Sequence, residues 1–158
     1  MEGNKKNAYF PLFIDLANKK VVVVGAGIIG TRRIQILSEF PCHITVIAKE
    51  VSEEVKQLQD EQRIEVIERG IREEDLEDAF LIIAATNVQE INDWIITQSK
   101  KARFVNHVGD KEQSNFYFPG IVKDENYVIG ITASGMDHKG AKKATDFIRR
   151  IWRERFQN

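Results

Sequence analysis

An α/β fold built on a doubly wound parallel sheet is predicted by three observations in this 158-residue sequence. Two apolar runs of strand length, Lys20-Val-Val-Val-Val-Gly25 and Ala79-Phe-Leu-Ile-Ile-Ala-Ala85, fit strands buried on both faces. Strand signals alternate with helical periodicity over roughly the first 110 residues, which indicates βαβ units with right-handed crossovers. A glycine-rich turn closes the first run and opens a helix. The length is that of one ordinary domain with room for a small appendage.

Taken in order, the first strand is Lys20 to Gly25. Apolar residues at Ile28, Ile29, Ile34, Ile36, Leu37 and Phe40 then predict a helix over 28–40. His43 to Ala48 reads as the second strand. Val51 to Gln59 reads as a helix with Ser52 as its N-cap and Val55 and Leu58 on one face. A short strand follows near Ile64 to Ile67. The strand at 79–85 leads into a helix that Asn87 can cap, with Ile91, Trp94 and Ile95 as its inner face. Arg103 to Asn106 is the fifth strand. Beyond it, 115–122 and 127–132 are strand-like and joined by only four residues, so they predict an antiparallel pair. Ala141, Ala144, Ile148, Ile151, Trp152 and Phe156 recur at helical spacing and give a terminal helix beginning near His138. Residues 1–112 are thus expected to form the sheet domain, and 113–158 a hairpin-plus-helix region. The apolar stripe and large aromatics of that second region suit a subunit interface.

Gly25-Ala26-Gly27-Ile28-Ile29-Gly30 is G-x-G-x-x-G, placed directly after a buried strand. That context makes it the dinucleotide fingerprint of a Rossmann-type domain. Gly25 permits the tight turn, Gly27 lets backbone approach a pyrophosphate, and Gly30 lets the helix pack closely on the strand. The helix start offers N–H groups and partial positive charge to the phosphates. Near the end of the second strand, Glu50 can bind an adenosine ribose or merely sit on the surface. Lys49 could instead attract a 2′-phosphate, and the preference is for NAD. Ala85, Thr86 and Asn87 end the fourth strand at the same edge of the sheet, where small residues let a cofactor lie close. Asn106-His107-Val108-Gly109-Asp110 follows the fifth strand there too. Asp110 is the better candidate proton acceptor and His107 the second, although an Asp in such a loop is also an ordinary turn residue.

Composition excludes several classes. Hydrophobic residues make up 42% and charged residues 30%, with 23 Lys and Arg against 24 Asp and Glu, so neither a disordered chain nor a globally basic nucleic-acid binder fits. The single cysteine, Cys42, can form neither an intramolecular disulfide nor a cysteine-based zinc site, and the start lacks an apolar signal region. A reducing, cytoplasmic setting is expected. The longest apolar stretch, Val21 to Gly30, falls short of the roughly 20 residues of a membrane span. The three histidines are scattered, and no metal site is expected. Residues 138–158 hold seven basic and two acidic side chains, so the remainder of the chain is acidic. Such asymmetry marks either a solvated helix face or the seat of an anionic partner.

Several segments together carry a resemblance. They are Tyr9-Phe-Pro-Leu-Phe-Ile-Asp-Leu16, the glycine turn with Thr31-Arg32-Arg33, Ile82-Ile-Ala-Ala-Thr-Asn87, Val105-Asn106, Asn115-Phe-Tyr-Phe-Pro119 and Ile131-Thr-Ala-Ser-Gly135. Over nearly its whole length the chain resembles the precorrin-2 dehydrogenases, which include the N-terminal portion of siroheme synthase. The resemblance implies NAD-dependent oxidation of precorrin-2 to sirohydrochlorin, on the route to siroheme, by a homodimer whose second region exchanges contacts between subunits. The substrate carries eight carboxylates, which gives the basic segment a purpose. Thr132, Ser134, Lys139, Lys142 and Lys143, with Arg149 beside them, become the candidate substrate contacts. Two departures stand out: the family's key Asp falls one position later here, at Asp110, and Asp137-His138-Lys139 replaces a Ser-Pro. Some relatives also insert iron. The expectation is a dehydrogenase alone, the alternatives being a bifunctional dehydrogenase and ferrochelatase or a non-catalytic NAD-sensing module.

Overall fold

The computed structural model describes residues 10–133 and 136–156, so Ser134 lies outside the described residues. Residues Asp15–Phe116 form one compact unit. Its strands are β1 (Lys20–Val24), β2 (His43–Ala48), β3 (Glu65–Glu68), β4 (Leu81–Ala84) and β5 (Phe104–His107). They make one parallel sheet in the order β3-β2-β1-β4-β5. The helices are α1 (Ile28–Leu37), α2 (Glu53–Asp60) and α3 (Gln89–Gln98). The chain runs outward from β1 to β2 and β3, then returns past β1 to β4. The strand order therefore reverses between β1 and β4, and a crevice opens at their carboxyl ends.

The all-valine core of β1 explains its central place. Val21 to Val24 are at most 2% exposed, as a strand covered on both faces requires. On one face Val22, Val24, Ile47, Ile82, Ala84 and Ile95 form a continuous cluster, closed by Leu76 and Ala79. Each valine, leucine or isoleucine of that cluster contributes roughly 1.5–3 kcal/mol when fully buried. β5 is an edge strand, and the segment after it seals that edge. Asn115 imitates a strand residue, its side chain accepting from Val105 N at 2.8 Å and donating to Arg103 O at 3.0 Å. Its backbone N–H adds a bond to Val105 O, and Ser114 Oγ accepts from His107 N. An unpaired edge is thereby covered without a sixth strand.

Four local expectations need correction. Trp94 is 37% exposed, because the inner face of α3 turns toward Asn92, which is buried and bonded to Thr86, leaving Trp94 on the shoulder. Asn87 does not cap α3; the N-cap position belongs to Val88, whose N–H is bonded by Thr86 Oγ1. Ser52 occupies the N-cap of α2 in extended conformation, but its hydroxyl makes no capping bond. Ile28 and Ile29 are exposed at the start of α1 and take no part in the core.

The second unit holds residues 10–14 and the described chain from Tyr117 onward. β6 (Gly120–Lys123) and β7 (Val128–Ile131) form the antiparallel pair, and α4 (His138–Phe156) packs on β6. Asp124 builds the turn, accepting from Asn126 N and Tyr127 N at 2.8 Å while its other oxygen accepts from Trp152 Nε1 at 2.6 Å. On α4 Thr145 is buried, whereas Ala144 is exposed. A threonine can be buried there because its hydroxyl donates to Ala141 O at 2.8 Å, and because Gly120 makes room: a Cβ on Gly120 would lie 2.1 Å from Thr145 Oγ1.

Candidate functional site

The crevice between β1 and β4 is a pocket of about 800 Å³, within the range of small-molecule and cofactor sites. It is lined by Gly25 to Ile29, by Ala48 to Ser52 after β2, by Arg69 to Ile71 after β3, and by Ala85 to Val88 after β4. The three glycines divide as their chemistry requires. Gly25 has φ +96°, and a Cβ on it would stand 2.4 Å from Ala85 O. A Cβ on Gly30 would stand 2.2 Å from Gly25 O, so this glycine packs the helix against the turn and lies beneath the pocket wall.

Gly27 differs from both. It caps α1 with φ −70° and ψ −171°, a conformation open to any residue, and a Cβ on it would meet nothing within 4 Å. Neither backbone nor packing requires glycine here, so the open space faces whatever fills the pocket. A pyrophosphate drawn against backbone N–H groups is the ligand that such a cradle fits. No acidic side chain stands in the first turn of α1 to compete with it.

The packing of Gly25 leads to a definite expectation. Gly25→Ala combines a disfavoured positive φ with a backbone collision, and should lower the stability of this unit by roughly 3 kcal/mol. The midpoint of chemical denaturation measures it.

Several predicted cofactor residues converge on the pocket. Lys49 and Glu50 line it where β2 ends, and Ala85, Thr86 and Asn87 line it where β4 ends. Thr86 is held by a reciprocal pair with Asn92: Thr86 N and Oγ1 both donate to Asn92 Oδ1, and Asn92 Nδ2 returns a bond to Thr86 O at 3.0 Å. Asn106 is not part of the lining. It is buried on β5, where it accepts from Arg33 and donates to Phe116 O at 3.1 Å. Burial pushes the Arg33 guanidinium down to about 10. Asn106 therefore braces α1 against the β5 segment, through a partner 73 residues earlier that no local pattern marks.

His107 and Asp110 belong to one hydrogen-bonded cluster. The His107 ring is buried; Nδ1 accepts from Gly109 N at 3.0 Å, which leaves the proton on Nε2 facing Asp93 Oδ1 at 3.1 Å. With both nitrogens engaged, the ring acts as a strut for the loop. Gln113 Nε2 donates both to Asp93 Oδ1 at 2.7 Å and to Asp110 Oδ2 at 3.1 Å. Asp110 Oδ1 accepts from Glu112 N at 2.9 Å. The Gln113 amide and that N–H hold the Asp110 carboxyl below the usual carboxylate range. Val108, two residues away, is where this loop enters the pocket wall. Asp93 and Gln113 were not singled out from the sequence, because nothing in their spacing marks them.

On the second unit, Thr132, Lys139, Lys142 and Lys143 are exposed, the lysines on α4. Arg149 is used within the unit, donating to Ile121 O at 3.0 Å and to Asp146 Oδ1 at 2.8 Å. Among the described residues no three His, Cys, Asp or Glu side chains gather as a metal site, and no helix is long and apolar enough to cross a membrane.

Comparison with known proteins agrees with this geometry. Residues 12–120 match the model of a family described as NAD(P)-binding. The chain is 36% identical to the precorrin-2 dehydrogenase of Bacillus subtilis (strain 168) over 141 residues, 89% of this chain and 87% of that protein. It is 36% identical over 128 residues to the siroheme synthase of Buchnera aphidicola subsp. Acyrthosiphon pisum, covering 80% of this chain but 27% of that longer protein. Among solved structures it resembles SirC, a precorrin-2 dehydrogenase, with a TM-score of 0.76 and 27% identity over 90% of this chain and 71% of that one.

Proposed function

We infer, since this chain belongs to the precorrin-2 dehydrogenase family, that it is an NAD-dependent oxidoreductase converting precorrin-2 to sirohydrochlorin in siroheme biosynthesis. The observation that carries the cofactor half of this reading is Gly27, a glycine that only a ligand requires. Bound in the pocket, NAD supplies the hydride acceptor. The oxidation removes one hydride and one proton, so atoms and charge balance as precorrin-2 and NAD⁺ giving sirohydrochlorin, NADH and a proton. Gly25 to Ile29 hold the pyrophosphate, and Ala85 to Asn87 let the cofactor lie against backbone.

Asp110 is the group we assign to the proton. A carboxylate held ionised by Gln113 and by Glu112 N–H stabilises the positive charge left on a macrocycle that is losing hydride. That cation is a strong acid, so even a weakly basic carboxylate can take its proton. His107 and Asp93 position the loop. Thr132, Ser134, Lys139, Lys142 and Lys143 are assigned to the substrate carboxylates, whose charge matches the ammonium groups of α4. Residues 113–158 are the proposed dimerisation and substrate region; the exposed Phe147 and Met136 supply apolar surface for a second copy. With its single cysteine, the homodimer belongs in a reducing cytoplasm.

Anaerobic incubation of the pure protein with precorrin-2 and NAD tests the reading. NADH absorbance and the sirohydrochlorin spectrum should rise together in equal amounts. NAD binding without either product would leave a nucleotide-binding relative that does no chemistry, and would overturn the assignment.

A further inference from the structure

We propose that the ion pair Arg69–Asp75 sets the choice of cofactor, by neutralising a guanidinium at the adenosine end of the pocket so that NAD is accepted and NADP refused. The inference rests on the cofactor reading above. In an open α/β sheet the adenosine ribose lies at the end of β2, and here the ends of β2 and β3 adjoin: a Cβ on Gly70 would lie 3.9 Å from Lys49 Cε. Among the described residues lining the pocket, the charged ones are Lys49, Glu50 and Arg69. By charge count alone, two cations and one carboxylate would favour a 2′-phosphate, against the NAD preference drawn from the sequence.

The geometry reverses that reading. Arg69 Nη1 and Nη2 donate to the two oxygens of Asp75, each at 2.7 Å, and Nη1 also donates to Gly70 O at 2.9 Å. Asp75 stands on the one-turn 3₁₀ helix Glu73–Leu76, behind the lining, with its side chain only 8% exposed. Its Oδ2 accepts a further bond from Arg72 N at 2.8 Å, so the carboxylate cannot swing away. The guanidinium is thereby fixed in plane and its charge cancelled by a bidentate partner. Arg69 adds no net charge to the rim, where Lys49 and Glu50 offset one another. A 2′-phosphate, carrying about 1.5 to 2 negative charges near neutral pH, finds no net attraction there. A ribose hydroxyl needs none, and Glu50 can accept from it.

Equilibrium titration of the full-length protein with NAD and with NADP tests this without turnover. The wild type should bind NAD at least tenfold more tightly than NADP. Asp75→Asn keeps an oxygen for Arg72 N but releases the charge of Arg69. NADP affinity should then rise on the order of tenfold and become more sensitive to salt, with NAD affinity within about twofold. Adding Arg69→Gln should erase the gain. Wild-type protein that binds NADP as well as NAD overturns the proposal whether or not the variants fold. So does folded Asp75→Asn with unmoved NADP affinity, or a gain that survives loss of Arg69. Wild type that binds neither dinucleotide overturns the cofactor reading and this inference with it.

Discussion

Gly27→Asp should abolish NAD binding while leaving the protein folded, and at least as resistant to heat as before. The two halves of that result have separate causes. Gly27 is the N-cap of α1 in an extended conformation, and a Cβ there meets open space. Aspartate is among the best N-cap residues, so the substitution should leave stability unchanged or raise it by a few tenths of a kcal/mol. The same carboxylate then occupies the anion site that the helix start offers. A charge about 4 Å from a pyrophosphate costs on the order of 4 kcal/mol at an effective dielectric of about 20, or roughly a thousandfold in affinity. Calorimetric titration with NAD beside a thermal melt measures both. Gly27→Ala separates bulk from charge: it should weaken NAD by much less and melt like the wild type. If Gly27→Asp bound NAD normally, the pyrophosphate would not lie on this turn, and the pocket would have to be read afresh.

The sheet was legible because its strands are buried on both faces. A parallel sheet writes its centre as unbroken β-branched runs, and β1 and β4 were visible for that reason. The glycine turn was legible because it directly follows a buried strand, with Gly25 and Gly30 answering steric demands of the turn and Gly27 facing the open pocket. What could not be read were choices made by tertiary hydrogen bonds. Nothing local says that Asn92 will be drawn inward by Thr86, which displaces Trp94 to the surface. Asn106, expected at the cofactor, is claimed by Arg33, 73 residues earlier. Thr145 replaces Ala144 on the inner face of α4 because Gly120, on a different element, leaves space for it. The rim at Arg69 was missed for a related reason. Its β3 is short and half-exposed, so periodicity gives it little signal, and the role of its arginine depends on Asp75 in the following turn.

The largest catalytic effect should come from Asp110→Asn. Asparagine retains an oxygen to accept from Glu112 N, so the 3₁₀ turn Lys111–Gln113 keeps its cap and the loop its shape. What is lost is the negative charge and the ability to take a proton. If Asp110 carries that step, kcat should fall by about 10² to 10⁴ while NAD affinity stays unchanged, because the residue lies outside the pocket lining. The pH profile supplies a second readout. Gln113 and Glu112 N–H hold the carboxyl below its ordinary value, so the deprotonated form persists to lower pH than for a free aspartate. The acid limb of kcat/KM assigned to this group should therefore lie below that of an ordinary aspartate, with activity lost only as pH falls through the folded pKa. Gln113→Leu removes the stronger of the two supports and should move that limb upward, toward the ordinary carboxylate value. An acid limb near pH 6.5, unmoved by Gln113→Leu, would point to a histidine instead. An Asp110→Asn enzyme of undiminished kcat would remove Asp110 from the chemistry altogether.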